Sequence, residues 1–237
     1  MHAVVPAAGE GTRLRPLTDE VPKGLVEVAG KPLLSHVFDA LRGISPDGVV
    51  VVVGYRGEAI VDHYGRSYRG VPITYVEQEE RRGLADAVLR AEPAVPGPFV
   101  HVNGDNVLRG DLAPLVERHR ATDAAATCLV TEVDEHEARR GGVCELDDDG
   151  GVVGFVEKPA DPPSTLALAG AYVLSPLVFP ACRLVSPADT GEYELSDALD
   201  LLCAAGRPVE VVEFSGRRWN VNAPADVERV EARLRSE

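Results

Sequence analysis

The chain has 237 residues, 45% of them hydrophobic and 5% aromatic, with 38 acidic against 24 basic side chains and a formal net charge of −14. That balance excludes nucleic-acid binding through a basic surface, and no run approaches the roughly 18 apolar residues of a membrane span. Length and apolar fraction fit one α/β domain with a full core.

Taken in chain order, "HAVVP" reads as a strand that starts at once. It leaves no room for the charged and apolar regions of a signal peptide, so a cytoplasmic protein is expected. "PLLSHVFDALRG" predicts an amphipathic helix, and "GVVVVVG" a strand apolar enough to be buried on both faces. "EAIVDHYG" predicts a helix, "VPITYVE" a strand, "LADAVLRA" a helix, "PFVHVNG" a strand, and "DLAPLVERHR" a helix capped by Asp111. Such alternation means right-handed βαβ units: an α/β, Rossmann-like fold with a mostly parallel sheet flanked by helices.

From about residue 124 the rhythm changes. "AAATCLVTEV", "GGVCELD", "GVVGFVE" and "LALAGAYVL" are strand-like, and "DDDGG" makes a hairpin between two of them. Helix "YELSDALDLLCAAG", strand "PVEVVEF" and helix "PADVERVEARLR" follow. One domain over 1–237 is expected, its second part (124–237) a β-rich lobe with closing helices. Cys128, Cys144, Cys182 and Cys203 form no CxxC pair and are expected to be buried thiols. The six histidines form no metal-spaced cluster. Arginine is strongly preferred, and the only lysines are Lys23, Lys31 and Lys158. With the acidic surplus, this suggests a GC-rich genome and a salt-rich cytoplasm.

The stretch "AAGEGTRLRPLTDEVPKGL" (7–25) places two glycines at the carboxyl end of the first strand, where ligands bind in open parallel sheets. Glycine lets backbone amides approach phosphate oxygens. The dinucleotide fingerprint fails, because its third glycine is Leu14, and no Gly-Lys-Ser/Thr of a P-loop follows. Arg13 supplies a planar fork and Lys23 a mobile point charge, while Pro16 and Pro22 stiffen the loop between them.

In these residues the chain resembles the sugar-1-phosphate nucleotidyltransferases, whose signature is G-x-G-T-R-L-x-P-L-T followed by P-K. The resemblance runs nearly end to end, and within the family it is most similar to haloarchaeal glucose-1-phosphate uridylyl- and thymidylyltransferases. It implies a nucleotide-binding part (1–123) and a sugar-binding part (124–237). Ala7, Ala8, Gly9, Gly11, Thr12 and Arg13 would hold the nucleotide, with Arg13 and Lys23 catalytic. Gln78 and Gly83 would meet the edge of a pyrimidine base, where an amide can donate or accept. Asp105 in "VNGDNVL" would contact the nucleotide and ligate Mg²⁺, and Asn106 would face the sugar. Glu157 and Lys158 of "EKP" would bind the sugar phosphate, with Gly142 and Gly170 lining its pocket; Gly141 stands where a tyrosine is often found.

One motif departs from the pattern. "RRWNVNAPADVERV" lies where many relatives read D-x-G-T-P, and alignment on Pro224 puts Asn220 in place of the second metal-binding aspartate, with Asn222 as the fallback. Related N-acetylglucosamine-1-phosphate uridylyltransferases use asparagine similarly. Lys31 is expected to be structural or interfacial.

The implied reaction is attack by a sugar-1-phosphate oxygen, most simply that of glucose 1-phosphate, on the α-phosphorus of UTP or dTTP, releasing pyrophosphate. The nucleophile is already anionic, so no general base is required. The alternatives are N-acetylglucosamine 1-phosphate as acceptor, or a non-catalytic subunit that senses nucleotide sugars. The resemblance also implies a homo-oligomer, with no nucleic-acid or membrane partner.

Overall fold

A computed structural model describes residues 1–236. The chain opens with β1 (His2–Ala7), two single 3-10 turns (Thr12–Leu14 and Lys23–Leu25) and a small hairpin of β2 (Glu27–Val28) and β3 (Lys31–Pro32). Next come α1 (Leu33–Leu41), β4 (Val49–Val53), α2 (Gly57–Tyr64), β5 (Ser67–Tyr68), β6 (Val71–Glu77), α3 (Leu84–Ala91) and β7 (Phe99–Val102). Then β8 (Asn106–Arg109), α4 (Ala113–Arg120), β9 (Ala126–Glu132), α5 (Glu135–Ala138), β10 (Gly142–Leu146) and β11 (Val152–Glu157) follow. The chain closes with β12 (Leu166–Leu174), α6 (Val178–Leu184), α7 (Leu195–Ala204), β13 (Val209–Glu213), β14 (Arg217–Asn220) and α8 (Pro224–Arg235). The cap position of α4 is Leu112, whose side chain makes no capping bond, so the expected Asp111 cap is displaced by one residue: Asp111 Oδ1 accepts from the Ala113 N–H at 2.8 Å from just ahead of the helix.

Ten strands share one sheet, whose main path is β11-β10-β12-β7-β1-β4-β6-β5. β1 is parallel to both β4 and β7, and β4 is parallel to β6. The late strands continue this sheet: β12 is antiparallel to β7, β9 and β10, and β10–β11 is the expected hairpin. β13 pairs in parallel with β9.

Alternation along the central strands feeds two apolar layers. Val4, Val50 and Val52 pack with α3, α6 and α7 through Val88, Phe179 and Leu199. Ala3, Val5, Val49, Val51 and Val53 pack with α1 and α2 through Val37, Phe38 and Ile60. That is why the uninterrupted valine run of β4 is buried at every position. The four cysteines are free thiols; Cys203 is half-buried and the others buried.

A third, smaller cluster bears directly on the site. Leu14 of the opening loop is fully buried with Val26, Val28, Leu33, Val107 and Val221, together with Val227 and Val230 of α8. Burying a leucine side chain of this kind contributes about 1.5–3 kcal/mol. The contact fastens the opening loop to the far end of the chain, and the pairing of β14 with β8 brings Asn220 opposite Asn106.

Candidate active site

β1 changes partner on either side, β4 one way and β7 the other, so a crevice opens beyond the carboxyl ends of β1 and β7. A cavity of about 230 Å³ lies there, lined by Ala7, Gly9, Lys23, Leu84, Asn103 and Asp105, among others. Gly11 has φ 67°, and a side chain there would press within 3.0 Å of both Lys23 Cβ and Thr18 Cγ2. Thr18, itself buried, donates to Gly11 O at 2.8 Å and closes the loop. Glu10, between the two glycines, accepts from Arg15 at 2.8 Å and from Arg81 at 2.7 Å. Arg13 stays exposed on the Thr12–Leu14 turn, 3.5 Å from Asn222 Oδ1.

The Lys23 ammonium reaches across the crevice. Its Nζ donates to Asp105 Oδ2 at 2.9 Å and to Asn222 Oδ1 at 2.8 Å. Residues from three distant stretches therefore meet at one point. Asn222 is aimed there by its own backbone: the N–H groups of Asn222 and Ala223 both donate to Asp226 Oδ2 at 2.9 Å, at the start of α8. Asn220 behaves differently: its Oδ1 is buried with no hydrogen-bond partner among the described residues. Asn106 is also buried, its Nδ2 donating to Ala169 O at 2.9 Å and its Oδ1 unpartnered.

Gln78 and Gly83 stand at the end of β6 and the start of α3. That segment is strapped to the start of α7: Tyr193 N–H donates to Arg82 O at 2.6 Å, and Ala85 N–H to Tyr193 O at 2.9 Å. One residue further, Glu194 joins a second cluster. Lys158 Nζ lies 3.1 Å from Glu157 Oε1 and 3.3 Å from Glu194 Oε1. Ser196 Oγ donates to Glu157 Oε2 at 2.9 Å. Gly142 leaves room for that carboxylate, since a Cβ there would lie 3.0 Å from Glu157 Oε2. Gly170 sits against Asn103 and Asn106, and its carbonyl accepts from Asn103 N–H at 2.8 Å.

Burial alone would lower the Lys158 pKa, yet Glu157 and Glu194 outweigh it and the net shift is upward. Burial pushes the Glu194 carboxyl up, reinforced by Glu157 and opposed by Lys158. Asp197 is likewise raised, by burial first and then by Glu157 and Asp200. Glu194 and Ser196 join this candidate cluster, and sequence reasoning did not pick them out. The signal was present in "EYELSD", which reads as the opening of a helix until its neighbours across the fold are known. Lys31 pairs with Asp39 of α1, away from both clusters.

The nucleotidyl transferase family model matches residues 2–221. The chain belongs to this family. It is 48% identical over its full length to the UTP–glucose-1-phosphate uridylyltransferase AglF of Haloferax volcanii, 98% of which is covered. It is 39% identical over 218 residues to a glucose-1-phosphate thymidylyltransferase of Streptomyces griseus, and spans 61% of that protein. The bifunctional protein GlmU of Methanocaldococcus jannaschii is 33% identical over 227 residues, and about half of it (52%) is spanned. Among solved structures, UDP-glucose pyrophosphorylase complexed with UDP-glucose superimposes with a TM-score of 0.88 at 22% identity, covering 99% of this chain and 98% of that one. A Bacillus anthracis protein described as a glucose-1-phosphate thymidylyltransferase, solved with sucrose, gives a TM-score of 0.88 at 26% identity, covering 100% and 96%. These are nucleotidyltransferase folds, with the mixed, mostly parallel sheet seen here. Among the described residues no helix is long and apolar enough to cross a membrane.

Proposed function

We propose that this nucleotidyltransferase transfers a uridylyl or thymidylyl group from UTP or dTTP to glucose 1-phosphate, giving the nucleotide sugar and pyrophosphate. The observation that carries the reading is the meeting of Lys23, Asp105 and Asn222 at the crevice mouth, in a chain 48% identical end to end with a uridylyltransferase. The backbone of residues 7–12 would cradle the triphosphate, and Arg13 would cover its outer phosphates. Lys23 would steady the α-phosphoryl as charge moves onto the leaving pyrophosphate. Lys158 would hold the sugar phosphate, and Glu157 would accept from sugar hydroxyls. The free cysteines agree with a cytoplasmic setting.

A divalent ion fits the oxygens already gathered. Among the described residues there is no group of three or more His, Cys, Asp or Glu placed to hold a metal, so such an ion would rest on few protein atoms. Asp105 Oδ2 and Asn222 Oδ1 already share one cation, the Lys23 ammonium. Those two residues would hold Mg²⁺ together with phosphate oxygens, with the unpartnered Asn220 Oδ1 as the alternative second ligand. Bound Mg²⁺ would neutralise charge on the triphosphate.

The test is pyrophosphate release at high KCl with Mg²⁺, pairing glucose 1-phosphate or N-acetylglucosamine 1-phosphate with each triphosphate. Turnover is expected with glucose 1-phosphate and UTP or dTTP. Lys23→Met should lower it by about 10²–10³. The GlmU relatives and asparagines 220 and 222 favour one second reading, N-acetylglucosamine 1-phosphate as acceptor, and turnover with that sugar alone would establish it. Nucleotide binding without release from any pair would overturn both readings.

A further inference from the structure

Gln78 is almost completely enclosed, at 4% exposure, and its backbone N–H is tied to Val53 O at 2.8 Å. Both hydrogens of its side-chain amide are in use. Nε2 donates to Asp86 Oδ2 at 2.7 Å and to Gly83 O at 3.1 Å. A carboxylate and a carbonyl accept but do not donate, so the amide has one admissible orientation. Flipping it would set its oxygen against two other oxygens. Arg90 lies 3.4 Å from the second carboxylate oxygen, Asp86 Oδ1, which leaves Oδ2 to Gln78. The Gln78 Oε1 is not one of the enclosed polar atoms lacking a partner, and no bond to it is made among the described residues. It therefore keeps a small accessible surface, the part of the side chain left outside the bonded amide nitrogen.

We propose that Asp86 is a positioning residue for base selection: by fixing the Gln78 amide, it presents an acceptor and no donor to the nucleobase. The inference rests on the proposed function and on the expectation, implied by the family resemblance, that Gln78 meets the edge of the pyrimidine. Uracil and thymine carry a hydrogen on N3 that matches an outward oxygen. Cytosine carries a lone pair at the same atom, which an oxygen repels. By residue type alone, Gln78 can donate or accept; Asp86, through the shorter and charged of the two bonds, and Gly83 O together remove the choice. The pocket thus reads an imide and refuses cytosine, and this discrimination originates in a residue that does not touch the base.

The test compares binding of UTP and CTP by calorimetry for the full-length protein, Asp86→Ala and Asp86→Ser. Serine retains an oxygen near the start of α3 but can donate to a flipped Gln78, and it serves where alanine does not fold. The wild-type protein is expected to prefer UTP by about tenfold or more, the scale of one hydrogen bond made against one repelled. Both variants are expected to bring the UTP/CTP ratio towards one. A purely structural role would weaken both nucleotides alike and leave the ratio unchanged. An unchanged ratio, or no preference for UTP in the wild-type protein, overturns the proposal. Binding needs no turnover, so failure of the transferase reading would show separately, as absent pyrophosphate release with the ratio and its dependence on Asp86 intact.

Discussion

Gly104 lies between Asn103 and Asp105, just past the end of β7 and against the end of β1. A Cβ built there would stand 2.0 Å from Pro6 O and 3.1 Å from Pro6 C, both backbone atoms of β1. Its φ lies outside the left-handed region, so contact alone makes glycine necessary. Reaching an ordinary contact of 3.4 Å requires the strand ends to part by about 1.4 Å. Forced overpacking of this sort costs about 1–3 kcal/mol, a Tm loss of about 2–12 °C for a chain of this length. The same movement shifts Asp105 against Lys23, and a misplacement of about 1 Å costs about 100-fold in rate. The assay is thermal denaturation of Gly104→Ala beside pyrophosphate release under saturating substrates. Gly9→Ala is the control: Gly9 lines the same cavity, but its added Cβ meets nothing within 4 Å. It should keep the wild-type Tm while raising KM for the triphosphate. A Gly104→Ala protein with wild-type Tm and kcat would refute the reasoning.

Two further outcomes follow from the electrostatics. Desolvation pushes the pKa of the buried His101 imidazole from 6.5 down to about 4, against the hydrogen bond from Nε2 to Asn103 Oδ1. Over that window the unfolded chain binds a proton that the folded chain refuses. Stability from this residue is therefore whole above pH 6.5 and falls as pH drops to 4, by up to about 3 kcal/mol. Urea denaturation at pH 7.5 and 4.5 should show this loss shrinking in His101→Gln, and an equal loss in both proteins would contradict it. Glu194→Gln should lower KM for the sugar phosphate by about two- to fivefold, the worth of one partly exposed ion pair that Lys158 no longer leaves. A rise in KM would contradict this.

Much of the fold was legible because its signals are local. The valine run of β4, the strand–helix alternation up to α4 and the "DDDGG" hairpin all appear as the sequence implied. The small elements were not: β8 and β14 are four residues each, with two and three polar residues respectively, and their apolar neighbours pack with Leu14 and α8 in a cluster that only the fold assembles. The site divides in the same way. Lys23, Asp105, Glu157 and Lys158 sit in short motifs that survive reading along the chain. The placement of the Asn220 and Asn222 side chains does not, since counting back from Pro224 says nothing about side-chain direction. Direction is set by the pairing of Asn220 with Asn106 and by the Asp226 cap that turns Asn222 towards Lys23. Glu194, Ser196 and Asp86 were invisible for a related reason: each acts on a residue that another element supplies.

The central claim is attack at the α-phosphorus, and the position of a label tests it most directly. The protein should be supplied with glucose 1-phosphate and UTP carrying ³²P at either the α or the γ position, and the products separated. The account predicts α label in the nucleotide sugar and γ label in pyrophosphate, with both transfers lost in Lys23→Met. Label from the γ position appearing in the sugar product, or α label remaining in free nucleotide, would contradict it.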